Sequence, residues 1–239
     1  MVVTFSDLDD TLFESSRKCQ EVAGHKVAAV LPSGEVGAYS TPQQQALISL
    51  LNNSYFIPVT GRRTESLSRI QVDFNSYKIT SHGAIILNSD NVLHPSWRLV
   101  LDEEEPQWCD RMFRLKSEVE QYVKQNGLEL RVRVISDNGY ACYVCVKGEP
   151  LHLRKLQTGV GTINSAGFNV HCNNRNLAYM PPYASKRRAV TFLKQILKTE
   201  IKEPITFIGL GDSLSDTDFL SVCDFQIIPS NSQIAETLK

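Results

Sequence analysis

Acidic and hydroxyl side chains stand directly after two apolar runs of this sequence. Asp7 and Asp9 follow Val2–Phe5, and Thr60 follows Tyr55–Val59. Short apolar runs that stop abruptly at polar residues are typical of buried parallel strands. Open α/β sheets bind their ligands outside the carboxyl ends of the strands, so we expect these three side chains to share one edge of a sheet.

A later part of the chain repeats this pattern. The apolar run Ile205–Ile208 leads into Asp212 and Asp216, and Lys186 begins a predicted helix. Carboxylates that lie close together repel one another, so a divalent cation is expected among them. Mg²⁺ suits a site of one or two carboxylates completed by a substrate phosphate. Lys186 and Thr60 then suit a phosphoryl group better than they suit a second metal.

The elements that would position these residues alternate between strand and helix. The hairpin Lys26–Tyr39 and a helix beginning at Thr41-Pro42 lie between the first two strands. Alternation of this kind resumes after Pro181 and predicts an α/β fold, a Rossmann-like three-layer core with a mostly parallel sheet.

The middle of the chain has a different pattern. A helix is predicted from Pro106 to Gln125, then a hairpin turning at Asn138-Gly139, a helix from about Pro150 to Val160, and two more strands. This order predicts a separate α+β unit with an antiparallel sheet. We place it at residues 86–178, inserted into a core made of residues 1–85 and 179–239.

Composition and charge exclude several classes of protein. The chain has 239 residues, 42% of them hydrophobic, with 25 Lys and Arg against 26 Asp and Glu. A nucleic-acid binder usually has a basic excess or stripe, and a membrane span needs about 20 apolar residues; neither pattern occurs here. The N-terminus has no secretory pattern, so we expect a cytoplasmic protein. No oligomeric state is predicted.

Two local patterns leave alternatives open. Cys142-x-x-Cys145 has the spacing of a redox or zinc pair, but it lies in a predicted strand without a second pair, which favours two ordinary thiols. Arg62 suits either recognition of a substrate anion or an ion pair. The basic run 186–188 is more typical of a solvated helix face than of a nucleic-acid site.

Four motifs together resemble those of the haloacid dehalogenase superfamily. In order and spacing they are Asp7-Leu8-Asp9-Asp10-Thr11, Thr60-Gly61-Arg62, Lys186, and Gly211-Asp212-Ser213-x-x-Asp216. The inserted block is similar to the type-C2 (C2B) cap of that superfamily, and the pattern is closest to subfamily IIB, with its sucrose-phosphate and Cof-type sugar phosphatases. Ser81-His82-Gly83-Ala84 resembles the turn that precedes the cap in those proteins.

The resemblance implies a role for each matching residue. Asp7 is the nucleophile that forms an aspartyl-phosphate, and Asp9 is the general acid and base. Substrate phosphate is bound by Thr60 with Gly61 and Arg62, and by Lys186. Mg²⁺ is held by Asp7, the main chain of Asp9, Asp212 and Asp216. An acid at position 9 favours phosphoester chemistry, because dehalogenases and ion pumps of the superfamily lack it.

These implications define the expected function. The protein is expected to be a Mg²⁺-dependent phosphatase acting on a small phosphorylated metabolite, most simply a sugar phosphate, with no nucleic-acid or membrane partner. A phosphomutase like the phosphomannomutases is the alternative enzyme, and a non-catalytic phosphate-binding regulator is the alternative of another class. Ser215 departs from the family pattern, where Asn is usual in the fourth motif, and so does His82, where Asn is common.

Overall fold

The protein, seen in a computed structural model, forms two compact units. The structure describes residues 1–19, 21–159, 163–173 and 175–238. The first unit combines Met1–His94 with Lys186–Lys239, and the second is Pro95–Ser185.

The elements follow the chain in a strand-helix order that changes within the second unit. The first unit begins with β1 (Val2–Ser6), β2 (Glu14–Ser15), β3 (Lys26–Val30), β4 (Val36–Ser40), α1 (Pro42–Leu51), β5 (Tyr55–Pro58), α2 (Thr64–Leu67), β6 (Lys78–Thr80) and β7 (Ile85–Leu87). The second unit contains α3 (Pro95–Gln125), β8 (Leu130–Asp137), β9 (Tyr140–Gly148), α4 (Pro150–Thr158), β10 (Asn169–Asn173) and β11 (Asn176–Met180). The first unit then resumes with α5 (Lys186–Glu200), β12 (Thr206–Leu210), α6 (Thr217–Leu220), β13 (Phe225–Ile227) and α7 (Gln233–Thr237).

A four-stranded parallel sheet forms the centre of the first unit. Its strand order is β13-β12-β1-β5, so β1 lies between β5, which follows it closely in the chain, and β12, which comes from the C-terminal part. The predicted α/β class, with a Rossmann-like core and an added α+β unit, is confirmed. Ser6, at the end of β1, pairs with Leu210 of β12 and Pro58 of β5, so three strands end side by side. Ligand sites of such sheets lie where the strand order reverses, which here is the end of β1.

The predicted hairpin at Lys26–Tyr39 is present and supports the loop after β1. Strands β3 and β4 pair antiparallel, and β4 also pairs with the short β2. Leu8, Leu12 and Phe13 are fully buried in one apolar cluster with Ala28 and Ala38 of the hairpin. Burying a large apolar side chain stabilises the folded state by about 1.5–3 kcal/mol. These contacts therefore fix the loop that carries Asp7 and Asp9.

The second unit has its own four-stranded antiparallel sheet, in the order β10-β11-β9-β8. Its long helix α3 begins at Pro95, so the predicted start at Pro106 is wrong. Proline is typical of the first helical turn, which is why Pro106 was interpreted as a start, but here it lies inside the helix. The apolar face continues N-terminal to it, with Trp97 and Leu101 buried.

The boundaries of the inserted unit differ from the expected 86–178. Residues 85–87 form a strand that pairs antiparallel with Lys78–Thr80, within the first unit. The second compact unit starts at Pro95 and extends through Ser185. The short strand β7 was not predicted, because three apolar residues carry no periodicity. The predicted end of the fourth helix, Val160, lies outside the described residues.

Two general properties concern the chain as a whole. Among the residues described, no helix combines the length and the apolar composition that crossing a membrane requires. None of the six cysteines, all of which lie in the described residues, forms a disulfide bond.

Candidate active site

The first functional side chain stands at the end of the central strand. The Asp7 amide donates to the Leu210 carbonyl at 2.9 Å, and the Val59 amide donates to the Ser6 carbonyl at 2.7 Å. These bonds continue the ladder one residue past each strand and place Asp7 between the ends of β5 and β12. Residues that follow these strands, Thr60 and Asp212 among them, therefore meet Asp7 at the same sheet edge.

A buried lysine joins two of the carboxylates. Lys186, the first residue of α5, donates from Nζ to Asp7 Oδ1 at 2.6 Å and to Asp216 Oδ1 at 2.7 Å. The three side chains are 12%, 10% and 0% exposed respectively. Ion pairs in such a position are weakly screened by water and salt, so removing either partner has a large effect.

The charges of this group do not balance. Burial works to lower the pKa of Lys186, but Asp216 and Asp7 raise it above its ordinary value. Burial would raise the pKa of Asp216, yet Lys186 and Ser213 hold it below its usual range. Burial, with Asp216 and Asp9 nearby, raises the pKa of Asp7 despite Lys186. One ammonium thus compensates one of the two carboxylates it touches, and negative charge is left over.

Asp212 adds a third carboxylate to the same place. Thr11 Oγ1 lies 3.5 Å from Asp7 Oδ2 and 3.3 Å from Asp212 Oδ1, so its single proton bridges the two acids. Burial, followed by the charges of Asp216 and Asp10, raises the pKa of Asp212 to about 6. A partly buried acid with carboxylate neighbours is the environment that a bound cation would stabilise.

The three carboxylates fit a hard divalent cation. One oxygen from each of Asp7, Asp212 and Asp216 can be chosen so that all three lie within 4.8 Å of one another. The donors are all oxygens and carry a net excess of negative charge over Lys186, the combination that Mg²⁺ takes in proteins. Both oxygens of Asp216 accept hydrogen bonds of 3.1 Å or less, whereas Asp7 Oδ2 has only the 3.5 Å contact with Thr11 and Asp212 Oδ1 the 3.3 Å contact. Asp7 and Asp212 are therefore better suited to direct ligation.

A tight turn fixes Asp216. Its Oδ2 accepts from the Ser213 amide at 3.1 Å and from the Ser213 hydroxyl at 2.8 Å. The Ser213 side chain in turn accepts from the Asp216 amide, which completes a capping box. Ser215, the departure from the family pattern, lies 2.7 Å from Ser213 through their hydroxyls. Ser215 therefore supports the side chain that holds Asp216.

Gly211 is the position where this turn tolerates no side chain. A Cβ on Gly211 would lie 2.7 Å from Asp216 Cβ and 3.1 Å from its Cγ. We expect Gly211→Ala to displace Asp216 and to lower kcat/KM about 10- to 100-fold, the usual effect of disturbing the support of a metal site. Steady-state kinetics with p-nitrophenyl phosphate measures this.

Gly37→Ala is the matched control for that variant. A Cβ on Gly37 would meet chiefly the flexible end of the Leu31 side chain, at 3.1 Å. We expect this variant to keep the native rate. Equal losses in the two variants would mean that Gly211 has no special relation to the site.

Asp9 and Arg62 form a second pair at the same edge. Arg62 donates from Nε to Asp9 Oδ2 at 2.8 Å and from Nη2 to Asp9 Oδ1 at 2.6 Å, a bidentate geometry. The guanidinium lies over the Phe13 ring, 5.4 Å from its centroid, and Nη1 lies 3.4 Å from Ser66 Oγ. Of the two interpretations of Arg62, the structure contains the ion pair. Its partner is the residue expected to be the general acid.

Thr60 is buried and shaped by a compact turn. Its hydroxyl accepts from the Arg62 amide at 3.1 Å, and its carbonyl accepts from the His82 amide at 3.0 Å. The His82 ring lies so close to Gly61 that a Cβ there would be 2.5 Å from the ring. Ser81 and His82 both have positive φ, 52° and 59°, a conformation that is costly outside glycine. Because Gly61 has no side chain, the His82 ring can lie against it, beside Thr60.

Sequence reasoning gave no role to two residues that organise the site. Thr11 bridges Asp7 and Asp212, and Ser213 binds Asp216. Each has a local signal in the sequence. Thr11 stands four residues after Asp7, and a Ser three residues before an Asp is a capping pattern.

The cysteine pair lies within strand β9. Within the described residues, the carboxylates at 7, 212 and 216 are the only group of three or more metal-binding side chains. Cys142 Sγ instead lies 3.5 Å from the Tyr140 carbonyl, and Cys145 is buried in β9. The interpretation as two ordinary thiols of a strand agrees with this arrangement.

Comparison with known proteins shows the fold of this chain. The sequence matches no protein-family model and no curated protein. Among solved structures, the sucrose-phosphatase from Synechocystis sp. PCC6803, in complex with sucrose and phosphate, is 17% identical with a TM-score of 0.60, covering 99% of this chain and 86% of that chain.

Two more solved structures share the fold. The C-terminal domain of C. albicans trehalose-6-phosphate phosphatase is 14% identical, with a TM-score of 0.58 over 92% of this chain and 73% of that chain. A haloacid dehalogenase-like hydrolase from Bacillus subtilis is 18% identical, with a TM-score of 0.50 over 99% of this chain and 84% of that chain. The chain therefore has the fold of haloacid dehalogenase-like hydrolases.

Proposed function

We propose that the chain is a haloacid dehalogenase superfamily phosphatase that hydrolyses a small phosphate monoester, with Mg²⁺ as cofactor. The observation that carries this proposal is the contact of buried Lys186 with Asp7 and Asp216 at the end of the central strand. Phosphoryl transfer needs positioning and charge stabilisation more than it needs covalent chemistry from several groups. A fixed carboxylate beside a buried ammonium meets that need.

Asp7 is the proposed nucleophile. Lys186 fixes Oδ1, and a carboxylate oxygen attacks phosphorus while the bond from phosphorus to the leaving oxygen breaks. Asp9 gives its proton to that oxygen. Water then attacks the phosphorus of the aspartyl-phosphate, Asp9 takes the proton, and the Asp7 carboxylate is restored together with inorganic phosphate. Thr60 and Lys186 are proposed to bind the phosphoryl oxygens.

The Asp9–Arg62 pair fixes the orientation of the Asp9 carboxylate. The bidentate contact holds the carboxylate in one orientation, and Phe13 and Ser66 hold the guanidinium in turn. A group that moves a proton must be held within hydrogen-bond reach of the reacting oxygen. We propose that Arg62 positions Asp9 and that, with Gly61, it lines the place of the phosphoryl group.

Mg²⁺ is the proposed cofactor, held by Asp7, Asp212 and the main chain of Asp9, with Asp216 in support. When bound, it would neutralise charge that develops on the phosphoryl oxygens. The convergence of three carboxylates, two of which share the one ammonium of Lys186, supports this assignment.

We expect activity to depend on added Mg²⁺. Excess chelator should abolish phosphate release, and Mg²⁺ should restore it. Asp212→Ala should raise the half-saturating Mg²⁺ concentration about 10- to 100-fold, because it removes a carboxylate ligand. Release of p-nitrophenol across a Mg²⁺ titration measures both effects. Full activity in excess chelator would contradict the metal assignment.

The proposed substrate is a phosphorylated sugar or similar small metabolite. Two of the similar solved structures are a sucrose-phosphatase and the C-terminal domain of a trehalose-6-phosphate phosphatase, which supports this class. No observation favours the phosphomutase or the non-catalytic regulator, the two alternatives. Phosphate release from a panel of sugar phosphates tests this substrate class. A protein that hydrolyses p-nitrophenyl phosphate but none of the sugar phosphates would contradict it.

We propose that Pro95–Ser185 acts as the type-C2 cap and selects among substrates. Replacing this unit by a short linker should leave hydrolysis of p-nitrophenyl phosphate and remove the preference among sugar phosphates, since Asp7, Asp9, Thr60, Lys186 and Asp212 all belong to the other unit. The ratio of kcat/KM values across the panel is the measurement. A shortened protein that folds, binds Mg²⁺ and still ranks the sugar phosphates as the full chain does would contradict the cap's role.

A further inference from the structure

We propose that the sheet of the second unit carries a binding site for a phosphate group of a small molecule, formed by Arg131, Arg133 and Lys147. The site lies on the sheet face turned away from α3 and α4. It shares no residue with the proposed catalytic site.

The strand register places the three cations on one face. Arg131 of β8 pairs with Lys147 of β9, and Arg133 pairs with Cys145. Residues that pair directly across antiparallel strands point to the same side, and so do residues two apart along a strand. The three side chains therefore point to the same side, with Cys145 among them.

The opposite face is the one that the helices cover. Val132, between the two arginines, and Val146, between Cys145 and Lys147, are buried, as are Val144 and Leu177 of the same face. Helix α3 packs on β8 and β9, and α4 packs on β9. Arg131, Arg133 and Lys147 are all exposed, by contrast, so their charged ends are accessible.

These cations have no acidic partner. None of the ion pairs or hydrogen bonds formed by the described residues joins any of the three side chains to a carboxylate. The neighbouring Glu149 is already paired with Arg175 at 2.9 Å. Like charges directly across a strand pair destabilise a sheet, and Arg131 and Lys147 are such a pair. A bound anion would remove this repulsion.

Neighbouring residues complete the proposed site. Asn176 pairs with Lys147 on β11 and adds an exposed amide to the same face. Cys145 is buried beside the three cations, and its partner on β11 is Ala178, a small residue that is also buried. Burial raises the pKa of Cys145, while Lys147, Arg131 and Arg133 work to lower it, which agrees with three cations lying close to one thiol.

The size and chemistry of the patch favour a compact phosphate group. The three cations span one strand spacing and two residues along β8, about 5 Å by 7 Å. Two guanidinium groups and an ammonium at this spacing match the several oxygens of one phosphate or diphosphate. A nucleic acid would need a longer basic track with exposed aromatic side chains for its bases, and Tyr143, the aromatic residue of this face in β9, is buried.

A titration with methylenediphosphonate, a diphosphate analogue that cannot be hydrolysed, tests the proposal. The full chain is labelled with ¹⁵N and the backbone amide signals are followed by NMR. We expect saturable shifts at Arg131, Arg133, Cys145 and Lys147, separate from any shifts at Asp7 and its neighbours. In Arg131→Gln/Arg133→Gln the affinity of the sheet site should fall at least about tenfold, because two charge-assisted contacts are lost.

The control has the same charge change elsewhere in the second unit. Lys124→Gln/Arg154→Gln removes two exposed cations from α3 and α4 and should leave the shifts of the sheet site as they are. The proposal is overturned if the sheet amides do not shift at about 10 mM probe, or if both double variants weaken binding equally. Tighter binding of a single-stranded oligonucleotide through the same amides would replace it by a nucleic-acid site. Failure of the proposed catalysis would leave these outcomes unchanged.

Discussion

Asp7→Asn is expected to lower kcat for p-nitrophenyl phosphate by at least about a thousandfold, since loss of the proposed nucleophile removes the covalent route. The amide keeps the shape of the carboxylate and still accepts from Lys186 Nζ. Burial and the neighbouring Asp216 and Asp9 raise the pKa of Asp7, so its charge is held at a cost that Asn does not carry. The melting temperature should therefore stay the same or rise.

Asp10→Asn is the matched control for Asp7→Asn. It makes the same change three residues further on, where the side chain forms an exposed ion pair with Lys18. Asp10 has a φ of 65°, a conformation that Asn tolerates well. We expect near-native rates from this variant. Retention of more than about a tenth of the native rate by Asp7→Asn would exclude Asp7 as the nucleophile.

Lys186→Met should lower both the stability of the fold and the rate. It leaves Asp7 and Asp216 buried without the ammonium they share, and an unpaired buried charge costs about 3–5 kcal/mol. We expect a marked fall in the free energy of unfolding in chelator, measured by denaturant titration, and partial recovery when Mg²⁺ is added. The rate should stay low with Mg²⁺, because a phosphoryl contact is also lost.

Arg187→Met removes the adjacent cation of the same helix and serves as the control. Its guanidinium is exposed and lies 3.4 Å from the Ser221 hydroxyl. Surface contacts of this kind contribute little to stability. A similar loss of stability in both variants would mean that Lys186 acts as an ordinary surface residue, one of the interpretations its basic sequence context allows.

The sheet edge could be predicted because strand ends are local features. Apolar runs that stop at Asp7, Thr60 and Asp212 predict where side chains leave a parallel sheet, and the sheet aligns those ends. The contact of Lys186 with Asp7 joins residues 179 positions apart, and no local pattern encodes it. The resemblance of the motifs, rather than periodicity, indicated that contact.

Features that depend on tertiary context were missed. Pro106 was interpreted as the first residue of a helix, because the buried contacts of Trp97 that hold the preceding turns of α3 are not visible in the sequence. The Arg62–Asp9 pair spans 53 residues and depends on how two loops meet beside one sheet edge. From the sequence, Arg62 could bind either a substrate anion or a carboxylate of the protein. The structure shows the carboxylate, Asp9, as its partner.

Formation of an aspartyl-phosphate on Asp7 is the central claim, and trapping it is the most direct test. Asp9→Asn turning over p-nitrophenyl phosphate with Mg²⁺ should accumulate the intermediate, because this leaving group needs no proton while attack by water needs a base. Borohydride reduction of the quenched protein should then yield homoserine at position 7, found by peptide mass spectrometry and absent without substrate. Continued turnover with no modification of Asp7, or with the label on another residue, would contradict the account.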